Sequence, residues 1–463
     1  MSDYHCLDIE FPNINFDSYY IRGNKVNSVH HAHLYTDVNN IELRFFYDEQ
    51  TYFGEKLMEW SREINWRKFG SFIKVELTKN HTNKSLQKID LSEAELIGYK
   101  SSSQYYENGK KYIIIKINSL KFYWNPNKEI QNIGEFYLDD KGFRVVEPFY
   151  TVFTRKSFFK NDGKFEINRM NDSKKFYKLE KSSFRPEFDV HSSDNKKDRT
   201  ATIIKKPKIQ FKYQNGITEE KAILYGDVVL MLASFYHHIK IDYTIRKIYL
   251  KEYTITTKTI EQKNYYDIDG NLQGFGINWD FNKFLQSSWQ VETLRNFILL
   301  SKAIELFNQA LLVDNYSAFL IRYNIIEICD KQKQDAEKFT SSLTKQQIKI
   351  KHGEALEKLL ETIIPNEHED FRKRWQDVQA NLQNKPMKNQ LISFLESQNL
   401  DINSFPIKIK DLKDLRNNIT HGSISKVDVE QLRKANILLY RISGILILNL
   451  MGIKDWKLNR IIN

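Results

Sequence analysis

The chain of 463 residues carries 41% hydrophobic and 13% aromatic side chains, 70 Lys+Arg against 59 Asp+Glu, and a net charge of +11 at pH 7. That apolar content excludes a disordered chain, and the length is too great for one ordinary hydrophobic core, so two or three globular domains are expected. The basic excess favours a polyanionic partner, because each cation near a phosphate releases condensed counterions, but it is spread along the chain and does not by itself identify nucleic acid.

Up to about residue 185 the sequence consists mostly of short alternating runs, such as Ile41-Glu42-Leu43-Arg44-Phe45-Phe46, Phe72-Ile73-Lys74-Val75-Glu76-Leu77 and Lys111-Tyr112-Ile113-Ile114-Ile115-Lys116-Ile117. Apolar residues at every second position, rich in β-branched and aromatic types, predict half-buried strands. Turn signals separate them at Arg22-Gly23-Asn24, Asn108-Gly109, Asp140-Lys141-Gly142 and Asn161-Asp162-Gly163. The polar, aperiodic stretch from Asp189 to Ile203 reads as a loop or linker.

Thr218 to Ile239, with an acidic first turn and a long apolar run, predicts a helix. Alternation returns at Ile241–Ile245, Ile248–Leu250 and Tyr253–Thr256. From about residue 286 the period becomes helical: Leu294, Phe297, Ile298, Ile304, Phe307 and Leu311 fall on one stripe. Further helices are expected at Tyr316–Asp330, Glu354–Ile364, Glu369–Leu382, Lys388–Glu396, Ile407–Thr420 and Val427–Met451. The most apolar run, Ile437 to Ile453, is interrupted by Arg441 and Asn449 and is read as a buried helix, so no membrane segment is expected.

The expected fold class is therefore α+β and multidomain. Residues 1–195 form a β-rich region, a sandwich or a curled sheet, with a sensing or regulatory role. Residues 196–285 form a small mixed α/β lobe that can be continuous with it, and residues 286–463 an all-α bundle.

The segment Lys413-Asp414-Leu415-Arg416-Asn417-Asn418-Ile419-Thr420-His421-Gly422 closes one of these helices, with Gly422 suited to the left-handed position beyond it. On an ideal helix Arg416 and His421 lie about 140° apart around the axis, so a long side chain or a relaxed last turn is needed to bring both to one phosphate. Imidazole titrates near neutral pH and can move protons, while guanidinium offers a permanently charged fork to phosphate oxygens. A histidine in this place can also merely stabilise the last carbonyls of the helix.

Arg416, Asn417 and His421, with four residues between the arginine and the histidine, resemble the motif of the HEPN superfamily ribonucleases. The earlier helix Phe319-Leu320-Ile321-Arg322-Tyr323-Asn324-Ile325-Ile326-Glu327-Ile328 resembles the HEPN helix that carries a polar residue in an apolar setting, with Glu327 and Asn324 as the matching positions. The arrangement, a β-rich region followed by a helical domain, is similar to that of ApeA-like anti-phage defence proteins. The resemblance implies metal-independent RNA cleavage without a cofactor: the 2′-hydroxyl attacks the neighbouring phosphate and leaves a cyclic phosphate end. It further implies Asn417 as an orienting group, a homodimer through the last helices, and a toxin-like role in abortive infection with a phage protein as trigger and RNA such as the tRNA anticodon loop as substrate. Ser423 stands where the HEPN toxins silenced by nucleotide transfer carry a tyrosine, so that mode of control is not expected. The competing reading is a non-catalytic dimeric scaffold that holds a protein partner on its N-terminal sheet.

Other constellations carry less. His31 and His33 of Val29-His30-His31-Ala32-His33 would project from one face of a strand, but no acidic or cysteine partner can be identified and no metal is assigned. His237 and His238 close a predicted helix and read as capping groups. Arg155-Lys156-Ser157-Phe158-Phe159-Lys160 and Lys174-Lys175-Phe176-Tyr177-Lys178 interleave cations with aromatics, as single-strand RNA binders do, with Lys174, Lys175 and Lys178 the candidate RNA contacts; a sheet with one lysine face and one phenylalanine face gives the same pattern. There is no phosphate loop, GxGxxG, HExxH or GxSxG. Cys6 and Cys329 lack metal or disulfide spacing, and residues 1–13 lack a basic region followed by an apolar stretch, so a cytoplasmic protein is expected.

Overall fold

The computed structural model describes residues 7–16, 18–21, 24–26, 29–36, 40–47, 75–77, 85–90, 94–107, 110–146, 177–195, 200–260, 272–331, 344–382 and 387–458. A β-rich N-terminal half is followed by a helical C-terminal region. The chain divides into two compact units, Met1–Asp269 with Asp280–Gln286, and Gly270–Trp279 with Ser287–Asn463.

In the first unit the described strands are β1 (Leu7–Phe16), β2 (Ser18–Ile21), β3 (Asn24–Val26), β4 (Val29–Thr36), β5 (Ile41–Tyr47), β6 (Val75–Leu77), β7 (Leu86–Asp90), β8 (Leu96–Glu107), β9 (Lys110–Ile117), β10 (Ser119–Trp124), β11 (Ile133–Leu138), β12 (Tyr177–Leu179), β13 (Ser182–Asn195), β14 (Thr200–Lys212), β15 (Tyr243–Tyr249) and β16 (Thr254–Thr259). They build an antiparallel sheet of order β6-β1-β4-β5-β9-β8, a second of order β12-β13-β14-β11-β15-β16-β10-β7, and the pair β2-β3. Alternation does what the sequence predicts in β10, where Leu120 and Phe122 are buried between partly exposed neighbours. The strands β14, β15 and β16, from the stretch expected to form a mixed lobe, are hydrogen-bonded into the same sheet as β7 and β10 to β13.

The helix α1 (Glu219–Tyr236) starts where Thr218 accepts a hydrogen bond from the Lys221 backbone N–H at 3.3 Å, with Glu219 and Glu220 in its first turn. Every residue from Val228 to Phe235 is buried, so this helix is apolar all round because it lies inside the core. Gly226 permits that packing, since a Cβ there would run into the ring of Phe136. Phe136 in turn stacks obliquely on Phe211 at 5.0 Å, which ties helix and sheet into one core.

Three expectations about this unit are corrected. The described residues of the stretch from Asp189 to Ile203, 189–195 and 200–203, form no linker: they lie on β13 and β14, which pair in register from Ser183↔Lys212 to Asn195↔Thr200. Polar residues hold a strand when the backbone finds a partner, and Pro186 and Pro207 are tolerated because each sits where only one neighbouring strand is paired. Asp140-Lys141-Gly142 is a 3-10 turn that runs into the helical turn Phe143–Val146, rather than a simple link between strands. His237 and His238 are buried, and burial holds both rings down at about 4, so they are neutral and do not act as cationic caps. Asn161-Asp162-Gly163 and Arg155–Lys160 lie outside the described residues.

The described helices after residue 280 are α2 (Phe281–Ser288), most of which belongs to the first unit, and, in the second, α3 (Val291–Arg295), α4 (Phe297–Gln309), α5 (Asn315–Lys331), α6 (Lys345–Leu360), α7 (His368–Leu382), α8 (Met387–Ser397), α9 (Ile409–Thr420) and α10 (Val429–Leu450). The long helix α10 is the spine: Asp428 caps it by accepting from the Glu430 N–H at 2.8 Å, and Leu432, Leu438, Leu439, Ile442 and Ile445 are buried along it. It packs against α4 and α5. In α4, Ile304 and Phe307 are buried as the stripe predicts, but Ile298 is 85% exposed and Leu299, Leu300 and Ala303 are buried as well. No helix among the described residues is long and apolar enough to cross a membrane.

Candidate active site

Two helices assemble the site, and each is fixed independently. In α5, Asp314 holds the N-terminus by accepting from the Tyr316 and Ser317 N–H groups at 2.9 and 3.2 Å. About two turns further along, Arg322 donates to Asn436 Oδ1 at 2.9 Å and to the Ala310 carbonyl at 3.3 Å, while Asn436 Nδ2 donates to the Asn315 carbonyl at 2.8 Å. This part-buried knot resists sliding of α5 along α10 and so helps set the height of Glu327.

In α9, Ile409, Leu412 and Leu415 are buried at three-residue steps, which leaves Arg416 on the rim of that face. Its Nη2 lies 3.7 Å from Glu327 Oε1, with the two side chains 33% and 25% exposed. That separation is an ion pair rather than a hydrogen bond, and among the described residues the Arg416 guanidinium makes no hydrogen bond at all.

The end of α9 is closed by its own backbone. Gly422 N–H donates to the Ile419 carbonyl at 3.2 Å and Ser423 N–H to the Asn418 carbonyl at 2.8 Å, with Gly422 at φ +73, which is the Schellman arrangement. His421 is the last residue before that reversal; its N–H donates to the Asn417 carbonyl at 2.9 Å. Its side chain is exposed, and the ring makes no hydrogen bond among the described residues. The Asn417, Asn418 and Ile419 carbonyls near the end of the helix already have backbone partners.

The structure thus brings Arg416 and Glu327 into contact and places His421 at the C-cap of the same helix, about one and a half turns beyond Arg416. Asn417 is half-buried and contributes its carbonyl to His421; its side chain makes no hydrogen bond among the described residues. Asn324 is exposed on α5 and joins no hydrogen bond there either. Lys178 is exposed on β12, whereas Lys174 and Lys175 lie outside the described residues, as do the side chains of His30, His31 and His33. Among the described residues no group of three or more His, Cys, Asp or Glu gathers as metal ligands would.

Sequence reasoning passed over Tyr323. It is 3% exposed and stands one turn before Glu327 on α5. Burial raises its phenol above the usual range, Glu327 pushes it further up and Arg416 pulls it down, so both charges act on it. The i,i+4 spacing to Glu327 is the signal that could have found it; nothing in the sequence pairs Arg322 with Asn436. Compared with family models, curated proteins and solved structures, the chain matches none.

Proposed function

We propose that the helical unit is a metal-independent endoribonuclease of the HEPN type, acting in anti-phage defence, with Arg416 and His421 as its catalytic pair. The observation that carries this reading is an arginine with unused donors beside a single carboxylate, on the same helix as an exposed histidine that its helix end does not need. An unoccupied guanidinium fork fits a phosphodiester, whose oxygens gain negative charge as the reaction proceeds.

In the proposed reaction the RNA 2′-oxygen bonds to phosphorus and the bond from phosphorus to the 5′-oxygen breaks. The 2′-hydroxyl proton passes to a base, the departing 5′-oxygen takes one up, and the ends are a 2′,3′-cyclic phosphate and a 5′-hydroxyl. His421 serves one of these transfers, and a second copy of this chain, joined through the helical unit, supplies the histidine for the other. Arg416 holds the phosphoryl oxygens and Asn417 orients the imidazole or the substrate. Single-stranded loops such as a tRNA anticodon are favoured because they leave the 2′-hydroxyl free for in-line attack. The scaffold alternative gives His421 a buried or a capping role; its exposure and the backbone bonds at Gly422 and Ser423 speak against these.

The test is incubation of wild type and His421→Ala with total cellular RNA in EDTA, with and without phage proteins, and mapping of the cut ends. Wild type should leave cyclic phosphate ends, and the variant should lose activity by about a hundredfold or more. Equal cleavage by both, or cleavage that requires a divalent ion, sinks this reading.

A further inference from the structure

Two other arginines of the helical unit show how a guanidinium is held when the fold fixes it. Arg433 gives its Nε and Nη2 to the two oxygens of Glu430 at 2.9 Å each, although both side chains are more than half exposed. Arg322 donates to Asn436 and to the Ala310 carbonyl. Arg416 differs from both. Glu327 is its sole charged partner among the described residues, at 3.7 Å from one nitrogen to one oxygen, with no hydrogen bond between them.

That separation decides what the carboxylate does. A hydrogen bond is directional and is lost beyond about 3.5 Å, so Glu327 does not lock the guanidinium fork in one orientation. Coulomb attraction falls only as the inverse of distance and persists there. Glu327 therefore neutralises the cation without aiming it. A phosphate oxygen that takes a free donor of Arg416 comes to rest about 5–7 Å from the carboxylate, an ordinary hydrogen-bond length added to the observed gap. With the two side chains 33% and 25% exposed, repulsion over that distance is only partly screened, and it weakens phosphate binding by about three- to tenfold.

We propose that Glu327 is an electrostatic gate on Arg416: it weakens every phosphate at the site, and so admits a polynucleotide chain while turning away isolated phosphates. Both ligands meet the same carboxylate. A chain has neighbouring phosphates to offer to other cations of a protein with net charge +11, and a free phosphate has none. The consequence for cleavage rests on the ribonuclease reading; the gate itself rests on the contact between α5 and α9.

The experiment follows the Arg416 guanidinium resonance in arginine-labelled full chain, assigned by its absence in Arg416→Lys. Inorganic phosphate, or a 2′-deoxyoligonucleotide that lacks the attacking hydroxyl and is not cut, is added at constant ionic strength. Glu327→Gln keeps the shape and removes the charge, and should lower the midpoint of both titrations by about three- to tenfold, a gain that shrinks as salt is raised. Glu327→Ala, a second neutral variant, should give the same gain, and Glu327→Asp, which keeps the charge, should not. Midpoints that the neutral variants leave unchanged or raise, as a carboxylate that aims Arg416 would give, overturn the proposal, and so does a resonance that neither probe moves. With RNA as substrate the neutral variants should raise kcat/KM by at least the same factor, and a fall in kcat/KM overturns the gate as well. If wild type cuts no RNA, the ribonuclease reading fails alone, and the titrations still decide whether Glu327 guards Arg416.

Discussion

Two cations, one in each unit, sit beside carboxylates in opposite ways. Lys208 on β14 has a side chain 8% exposed and lies between Glu135 at 3.0 Å and Glu187 at 3.4 Å, with the Tyr137 ring 5.7 Å below it. Burial alone would lower its ammonium, but Glu135, Glu187 and Asp189 more than offset that and hold it above the usual range. Arg416 is a third exposed, meets one carboxylate at 3.7 Å and leaves its donors idle. A closed network spends its hydrogen-bonding capacity on the fold and has none left for a ligand. An open one contributes little to the fold and keeps its capacity for something that arrives, so the two should fail differently when they are broken.

Lys208→Met is the strongest test of the closed side. It removes the ammonium that Glu135 and Glu187 share, leaving Glu187 with Arg185 and Glu135 with the Tyr249 hydroxyl alone, and the unfolding free energy measured in urea should fall by about 2–3 kcal/mol. A fall below about 1 kcal/mol would mean that the network behaves as a surface pair.

The second test uses acid. His237 and His238 are held at about 4 in the folded chain against an ordinary value of 6.5. Above pH 6.5 they are neutral in both states and change nothing. As the pH falls from 6.5 toward 4 the unfolded chain takes up protons that the folded unit refuses, so stability drops. At pH 5 the loss should reach about 2 kcal/mol for each ring. Urea midpoints between pH 7 and 5 should therefore decline, and replacing both histidines by glutamine should flatten the slope; an unchanged slope would show the rings are free to ionise in place.

The smallest effect sharpens the open side. Arg416→Lys keeps the charge and removes the fork, so RNA cleavage should drop by about tenfold while the urea midpoint stays put. A marked loss of stability would make Arg416 a structural residue like Lys208.

Elements built on local rules were legible in the sequence. Thr218 and the acidic residues after it announced α1, and Gly422 announced the end of α9, because capping depends on residues within one turn. The hairpin of β13 and β14 was hidden, since its ladder is made by the backbone and its side chains look like a linker. Ile298 was misplaced on its helix because periodicity gives a stripe but not which of two adjacent stripes meets a partner. The motif from Arg416 to His421 could be read as chemistry, yet Glu327 became its neighbour, and Tyr323 the neighbour of that pair, only through the packing of α5 against α9. Asn436, 114 residues from Arg322, is the clearest case of a contact that no local pattern encodes.

The reversal at Gly422 has a stereochemical consequence. A Cβ on that residue would meet nothing within 4 Å, so no neighbour enforces glycine there; the φ of +73 alone does. What resists alanine at this point is therefore the handedness of natural amino acids and not a lack of room. A chain assembled by chemical ligation with the mirror-image alanine at position 422 would find that φ comfortable and would lose freedom only in its unfolded state. The direction in which His421 is presented thus depends on the residue that follows it having no side chain of the natural hand to resist that φ.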